Sequence, residues 1–198
     1  CNSFSLLFWH STEVIASMSS KLYLDREEEI LKLASRRKIY ALVKEFSGCN
    51  FRDLERKSNI PTGTLQYHLH YLTKHEIITT QKDGNKIRYF AKNLTSRDKV
   101  LLSFLRQKNI RRLVLFILEK KECNWQEILQ SLQVSPSTVS WYLSRLVEQG
   151  VLTLDKKQGE SAYHLAVPEK DIISLLVIYK ESFFDTMVDR AIEMWAFR

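Results

Sequence analysis

The chain has 198 residues, of which 44% are hydrophobic and 27% charged, so we expect a soluble globular protein with one large or two small domains. Its formal net charge of +7 suits a polyanionic partner. The excess is uneven, +6 in residues 21–95 against +2 in residues 96–198, which makes the first half the better candidate for binding nucleic acid.

Several classes of protein are excluded by the same inspection. Three scattered cysteines are too few for a disulfide framework or a zinc site, and no stretch approaches the roughly 20 apolar residues that span a bilayer. Only 5 glycines are present, with no phosphate-cradling loop and no Ser/His/Asp or Cys/His set in motif context. We therefore predict a cytoplasmic protein that is not an enzyme, has no cofactor or metal, and shows no evident small-molecule ligand.

The first half predicts three helices followed by a hairpin. A helix is expected over residues 25–46, ended by Ser47-Gly48, and a short second helix over residues 51–58. A third helix follows Pro61, with Thr62 or Thr64 as the cap of its first turn. Its apolar positions recur at helical spacing (Leu65, Leu69, Leu72) and predict one buried stripe.

The opposite face of the third helix is polar or amphipathic, with Gln66, Tyr67, His70, Tyr71 and Lys74. A strand beginning at Ile77, the turn residues Asp83-Gly84-Asn85 and a return strand up to Ala91 then predict a hairpin, which carries Lys82, Lys86 and Arg88. A helix with a polar face before a basic hairpin suits a winged helix-turn-helix, whose third helix fits the major groove while its wing reaches the backbone. The basic hairpin alone would also suit an ordinary solvated surface.

A repeat becomes visible when the second half of the sequence is aligned with the first. Cys49-Asn50-Phe51 then falls on Cys123-Asn124-Trp125, and the agreement continues without a gap through the predicted helices and hairpin. Outward matches include Arg37 with Arg111. We interpret the chain as two copies of one module joined by an amphipathic helix that begins near Ser96.

The second copy predicts its own third helix, opened by Ser135 as cap and Pro136 at the first helical position, and a longer wing tip over residues 155–161. A single long helix is expected from Glu169 to Arg198. Its wide apolar face predicts homodimerisation, and the alternative is that the helix caps the second module. The residues of that dimerisation stripe are Ile172, Leu176, Tyr179, Phe183, Met187, Ala191 and Met194.

Both helix–hairpin segments, TGTLQYHLHYLTKHEIITTQKDGNKIRYF and SPSTVSWYLSRLVEQGVLTLDKKQGESAYHL, resemble the third helix and wing of ArsR- and MarR-like winged helix regulators. The two-copy arrangement, over roughly residues 25–166, is similar to that of archaeal transcriptional regulators with tandem winged helix domains. In that family the third helix enters the major groove and the wing touches phosphates or the minor groove. Some members carry membrane segments before the first module, so the resemblance implies that a native form of the protein can be membrane-tethered.

The predicted DNA-binding residues follow from that resemblance together with the charges. In the first copy they are Arg37, Thr62, Thr64, Gln66, Tyr67, His70, Lys74, Lys82, Lys86 and Arg88. In the second copy they are Ser135, Ser137, Thr138, Ser140, Trp141, Arg145, Lys156 and Lys157. The second copy departs from the pattern, since Glu148 stands where the first has Lys74 and Trp141 is a large side chain at a base-facing position. The paired-cysteine metal-sensing motif of arsenic-type repressors is missing.

The predicted fold is mainly α with small β-hairpin wings, made of two tandem winged helix-turn-helix domains plus a long C-terminal helix. Its segments are an unassigned 1–20, a first winged helix domain 21–94, a linker helix 95–108, a second winged helix domain 109–168 and a C-terminal helix 169–198. The predicted function is a sequence-specific regulator that binds double-stranded DNA as a homodimer. The alternative is a protein-interaction scaffold that docks partners through the second module, with at most the first module on nucleic acid. If the protein is a DNA-binding regulator, replacing Gln66 should relax sequence preference, while replacing Lys86 and Arg88 should weaken binding to all sequences.

The histidines and cysteines have plain structural interpretations. His68 is expected to pack in the core, and His70 to reach a base or phosphate. Cys49 and Cys123 occupy matching positions before the second helix of each copy, where a small buried residue suits the turn. Redox sensing by these thiols is the minor alternative.

Overall fold

The first module begins with two helices, separated at residues 32–33, where one continuous helix was expected. The computed structural model describes residues 25–157, 160–183 and 185–196, without the side chains of Lys157 and Glu160, so the 1–20 segment lies outside it. Residues 25–31 are helical (α1), and a second helix, α2, covers Ala34–Glu45. The expected helix over residues 25–46 is therefore two helices, because Leu33 has an extended backbone (φ −71°, ψ 121°) and starts α2 afresh.

The rest of the first module follows the predicted order. Helix α3 spans Phe51–Ser58, α4 spans Thr62–Lys74, and the antiparallel strands β1 (Ile78–Asp83) and β2 (Lys86–Ala91) form the wing. Strand pairing runs from Ile78 opposite Ala91 to Asp83 opposite Lys86. The cap of α4 is corrected, since Pro61 occupies the N-cap and no side chain caps that end.

A linker helix, α5 (Ser96–Leu105), leads into the second module and is capped by Thr95 and Asp98 in a reciprocal capping box. The second module contains α6 (Lys108–Lys120), β3 (Cys123–Asn124), α7 (Trp125–Leu132), α8 (Pro136–Glu148), β4 (Leu152–Lys157) and β5 (Glu160–Leu165). The strands β3, β5 and β4 form one three-stranded sheet in that order.

Helix and strand boundaries in the two modules follow the gapless alignment that places Cys49 on Cys123. Under it, α3 and α7, α4 and α8, and the two strands of each wing all begin and end at equivalent positions. Asn50 and Asn124 cap α3 and α7 in the same way, each accepting the backbone N–H three residues later. Ser135 caps α8 as predicted. The longer second wing tip is corrected, because pairing continues to Lys157 opposite Glu160; residues 158–159 themselves lie outside the described part.

The C-terminal region is the main correction to the predicted architecture. In place of one helix there are three, α9 (Glu169–Ile178), α10 (Lys180–Phe183) and α11 (Thr186–Ala196), and α11 folds back against α9 and α6. Five residues of the predicted dimerisation stripe are consequently buried inside the chain: Ile172, Leu176, Tyr179, Phe183 and Ala191. Met187 is half-buried against the same core, and Met194 alone of the stripe is exposed.

Two hydrophobic cores result. The smaller one belongs to the first module, from Ile30 to Ile78, and the larger one joins the linker helix, the second module and the C-terminal helices. Phe90 of β2 is buried in the larger core although it lies in the wing of the first module. Most of the apolar stripe that predicted a partner chain is covered by the linker helix and the second module, while Val177 and Ile178 of α9 stay exposed. Every helix of the described ranges is too short or too polar to cross a lipid bilayer.

Candidate DNA-binding surface

Helix α4 presents a clean division between a buried and an open face. Leu65, Leu69 and Leu72 are essentially inaccessible to solvent, as the helical spacing predicted. The side chains on the other face are exposed, and they are Thr62, Thr64, Gln66, Tyr67, His70 and Lys74. A row of hydrogen-bonding side chains on one exposed helix face has the chemistry that reads base edges in a major groove.

A hydrogen bond to α3 stabilises the first turn of α4. The Thr62 hydroxyl donates to Glu55 Oε1 of α3 at 2.6 Å, which joins the second and third helices of the module. The two opening threonines, Thr62 and Thr64, stay at the surface. Arg37 on α2 is also exposed, so it remains available for a phosphate.

The wing has two different faces. Lys82 lies opposite Ile87 in the pairing, and both are exposed, with Ile87 at 54% an unusually open apolar side chain. Lys86 is exposed at the turn, opposite Asp83. Lys82 and Lys86 therefore place two exposed positive charges at the outer end of the hairpin beside α4.

Arg88 does not belong to this exposed set, and its predicted phosphate contact is corrected. The residue is only 4% exposed. Its Nε donates to Asp83 Oδ2 at 2.7 Å and its Nη1 donates to the Gly48 carbonyl oxygen at 2.9 Å. Because those donors are already used inside the chain, Arg88 holds the wing against the body of the module.

The second module offers fewer cations on its third helix. Ser135, Ser137, Ser140 and Trp141 are exposed and Thr138 is half-buried, with Trp141 at 52%. Ser137, Thr138, Trp141 and Tyr142 line a shallow groove on α8. On the second wing Lys156 is exposed, whereas the side chain of Lys157 lies outside the described part.

Arg145, the only Lys or Arg of α8, is engaged elsewhere. Its Nη2 donates to Asp83 Oδ1, so a cation of the second module is paired with the wing of the first. Burial alone would raise the pKa of Asp83, but the hydrogen bonds and charges of Arg88 and Arg145 outweigh it and hold that pKa below its ordinary value. The carboxylate therefore stays ionised at neutral pH between two guanidinium groups.

Two further arginines at the junction between the modules were not anticipated as structural residues. Arg106 donates from Nε to the Ser47 carbonyl oxygen at 2.8 Å and from Nη1 to the Ser182 hydroxyl at 2.8 Å. Arg111 is paired with Asp185 at 2.5 Å. The repeat matched Arg111 to Arg37, yet Arg111 is buried and Arg37 is exposed, because Asp185 and α11 pack against the second module at Arg111.

His68, Cys49 and Cys123 agree with their structural interpretations. His68 is buried, and burial followed by the nearby Arg36 charge lowers its pKa. Cys49 and Cys123 are buried, and burial raises the pKa of both thiols, that of Cys123 to about 11. Within the described residues, no three His, Cys, Asp or Glu side chains group closely enough to hold a metal ion.

Each half of the chain matches a family of known proteins. Residues 34–102 match a family described as an N-terminal HTH domain, and residues 108–153 match the family described as bacterial regulatory protein, arsR family. The chain carries two winged helix-turn-helix domains. The predicted likeness to tandem winged helix-turn-helix regulators is confirmed. These are regulatory and helix-turn-helix families, in agreement with the prediction of a non-enzymatic protein.

Known relatives resemble the chain over parts of their length. An uncharacterized HTH-type transcriptional regulator of Methanocaldococcus jannaschii is 28% identical over 146 residues, which cover 74% of this chain and 37% of that protein. The chain thus spans little more than a third of this curated relative. The transcriptional repressor PagR of Bacillus anthracis is 23% identical with a TM-score of 0.37, covering 41% of this chain and 92% of the repressor. A chain of the endosomal complex ESCRT-II is 16% identical with a TM-score of 0.26, covering 82% of this chain and 78% of that one.

Proposed function

We propose that the protein is a transcriptional regulator that binds double-stranded DNA in a sequence-specific manner through its first module. The observation that carries the proposal is the exposed polar face of α4 beside the exposed lysines of the wing, in a chain whose halves both match helix-turn-helix families. An α-helix fits the major groove, and lysines at the adjoining hairpin suit the neighbouring phosphates.

Within the first module, the roles divide by side-chain chemistry. Gln66 can make a paired hydrogen bond to adenine, and Thr62, Thr64, Tyr67 and His70 are the other candidates for base edges. Lys74, Lys82, Lys86 and Arg37 are cations suited to phosphates, whose neutralisation supplies most sequence-independent affinity.

The second module has a weaker claim to a groove of its own. Its counterpart of Gln66 is Ser140, its counterpart of Lys74 is Glu148, and Arg145 is already paired with Asp83. We therefore propose that Ser135, Ser137, Thr138, Ser140 and Lys156 contribute less to affinity than the first module does.

The first test is fluorescence anisotropy of labelled duplexes titrated across salt, with matched substitutions in the two modules. Gln66→Ala should lower discrimination between a selected duplex and its single-base variants, and Ser140→Ala should leave it unchanged. Lys82→Gln should flatten the plot of log affinity against log salt by about 0.9, the contribution of one phosphate. Lys156→Gln should flatten it less. A wild-type protein that binds no duplex even at low salt would overturn the proposal.

The second candidate function is a protein-interaction scaffold, favoured by one observation on α8. Trp141 is half exposed and lies 5.5 Å from Tyr142, between ring centroids, on a helix whose only cation is occupied. Aromatic side chains of this kind often anchor protein interfaces. If this candidate is correct, Trp141→Ala abolishes partner capture and leaves duplex affinity unchanged, whereas a DNA-contacting Trp141 would show the reverse.

Homodimerisation is proposed with a smaller surface than the sequence suggested. Met194 is the exposed member of the predicted stripe, since most of the others pack inside the chain. Sedimentation equilibrium of wild type and Met194→Lys tests this role. A dimer weakened by the substitution supports it, and a wild-type monomer at all concentrations contradicts it.

A further inference from the structure

The wing of the first module is fastened to the third helix of the second. Asp83 is the last residue of β1, at the outer end of the hairpin, and its carboxylate receives Arg88 on Oδ2 and Arg145 on Oδ1. The Asp83 side chain is 14% exposed. Thus one carboxylate joins a guanidinium from its own hairpin to a guanidinium from a helix that is 62 residues away in sequence.

Arg145 is itself held in place. Its guanidinium carbon lies 4.7 Å from the centre of the Trp141 ring and 5.3 Å from the centre of the Phe104 ring of α5. Cationic groups over aromatic faces are stabilised by the ring's negative face, particularly when partly removed from water. The Arg145 side chain therefore connects α5, α8 and the wing in one place.

The wing is supported within the first module as well as by Arg145. Arg88 links Asp83 to the Gly48 carbonyl oxygen of the module body. The Tyr89 N–H donates to the Cys49 carbonyl oxygen at 3.0 Å, and its carbonyl accepts from Gly48 N–H at 2.8 Å. These bonds join β2 to the module body several residues away from the turn. A two-stranded hairpin is marginally stable by itself, and Arg145 gives its outer end an additional anchor on the second module.

The contact is not a consequence of the repeat. The alignment of the two modules places Lys157 at the position of Asp83, and Tyr71 at the position of Arg145. Neither the acid nor the arginine has a counterpart of the same type in the other module. The pair is thus a feature of the junction alone.

We propose that Arg145 is a positioning residue for DNA binding by the first module, an inference that rests on the proposed function. By holding Asp83, it fixes the angle of the wing relative to α4, so that Lys82 and Lys86 meet the backbone while α4 occupies the groove. The same contact withdraws the only cation of α8 from DNA. The second module then serves the first as a rigid support.

The test compares Arg145→Gln with wild type by anisotropy across salt. Two wing lysines that no longer contact phosphates lower the salt slope by about 1.8. Raising the salt from 50 to 200 mM should therefore reduce the affinity of the variant by a factor roughly tenfold smaller than the factor for wild type. Discrimination between duplexes that differ at one base should stay the same, because α4 is untouched. Arg112→Gln, which removes one charge from α6 elsewhere in the second module, is the control and should leave the slope unchanged.

A chain without the two wing lysines separates positioning by Arg145 from direct contact between Arg145 and DNA. In a chain carrying Lys82→Gln and Lys86→Gln, adding Arg145→Gln should change neither affinity nor slope. A further loss there would show that Arg145 touches DNA directly and would overturn the positioning role. An unchanged slope in Arg145→Gln alone would overturn it as well. If that variant does not fold, Arg145→Lys replaces it, with a smaller loss of slope expected because the charge is kept.

Failure of the proposed function has a separate signature. A wild-type chain that binds no duplex at low salt refutes DNA binding, and the positioning role falls with it. A wild-type chain that binds with the expected salt slope, and whose slope falls in Lys82→Gln but not in Arg145→Gln, keeps the proposed function and refutes only the positioning role. Backbone hydrogen exchange over residues 79–88 reports the tether itself, and faster exchange in Arg145→Gln is expected with or without DNA.

Discussion

Arg88 and Lys86 are two residues apart on β2 and point to the same side of the wing, yet their replacement by Met should change different properties. Arg88 is buried and donates to Asp83 and to the Gly48 carbonyl, while Lys86 is exposed at the turn. Arg88→Met removes one side of a buried ion pair and leaves a carbonyl without its donor. Lys86→Met removes a solvated charge.

The magnitudes differ accordingly. Breaking a buried ion pair by removing one partner costs about 3–5 kcal/mol. Since Arg145 still faces Asp83, we expect the lower end for Arg88→Met, about 3 kcal/mol, which corresponds to a Tm lower by about 6–12 °C in a chain of this size. For Lys86→Met the unfolding free energy should change by less than about 0.5 kcal/mol, and the salt slope of DNA binding should fall by about 0.9.

Thermal unfolding followed by circular dichroism, together with anisotropy below both melting temperatures, separates the two outcomes. Arg88→Met should melt early, whereas Lys86→Met should melt with the wild type. If Arg88→Met melts with the wild type and flattens the slope as Lys86→Met does, Arg88 contacts phosphate and the reasoning from burial is refuted.

Three other outcomes are expected. Gly48→Ala should lower the unfolding free energy by about 1–2 kcal/mol, because φ is +86° and an added Cβ would lie 3.3 Å from a leucine of α5. Gly63→Ala, with open space around its Cβ, should not destabilise the protein. Equal urea midpoints for these two variants would contradict the prediction. In a chain whose first residue is changed to serine, Cys49 and Cys123 should resist Ellman's reagent at mildly alkaline pH until urea unfolds the protein, since burial raises the pKa of both thiols; fast native labelling would refute it. Burial alone would raise the pKa of Asp185, but its hydrogen bonds from an arginine and a backbone N–H lower it, so its stabilisation is present above the ordinary carboxyl pKa near 4 and is lost as the pH falls below it. The urea midpoint of Asp185→Asn should therefore depend less on acid than that of wild type.

Much of each module is predictable because its signals are local. The helical spacing of Leu65, Leu69 and Leu72 requires one buried face, and that face leaves Gln66 and His70 at the surface. The Asp83-Gly84-Asn85 turn determines where the wing reverses. The repeat adds a second, independent check on every boundary, because each module must satisfy the same pattern.

Charge was the less reliable signal, as Arg88 and Arg37 illustrate. Both are arginines near the predicted DNA surface, but only Arg37 is exposed. Arg88 is paired with Asp83 of the same hairpin, but it also donates to the Gly48 carbonyl oxygen, 40 residues away in sequence, and Asp83 in turn pairs with Arg145 of the second module. A local pattern contains no information about such partners.

By itself, the sequence determined two winged helix-turn-helix modules, the exposed face of α4 and the basic end of the first wing, because short-range periodicity and turn chemistry specify them. Only the tertiary structure showed that the C-terminal segment forms three helices whose apolar stripe packs mostly on the chain's own larger core. It also showed which partners the arginines at the junction contact. An apolar face must be covered and a buried charge must be paired, but the sequence does not state which surface or which carboxylate does so. That choice is made by long-range packing of α5, α6 and the C-terminal helices around one core.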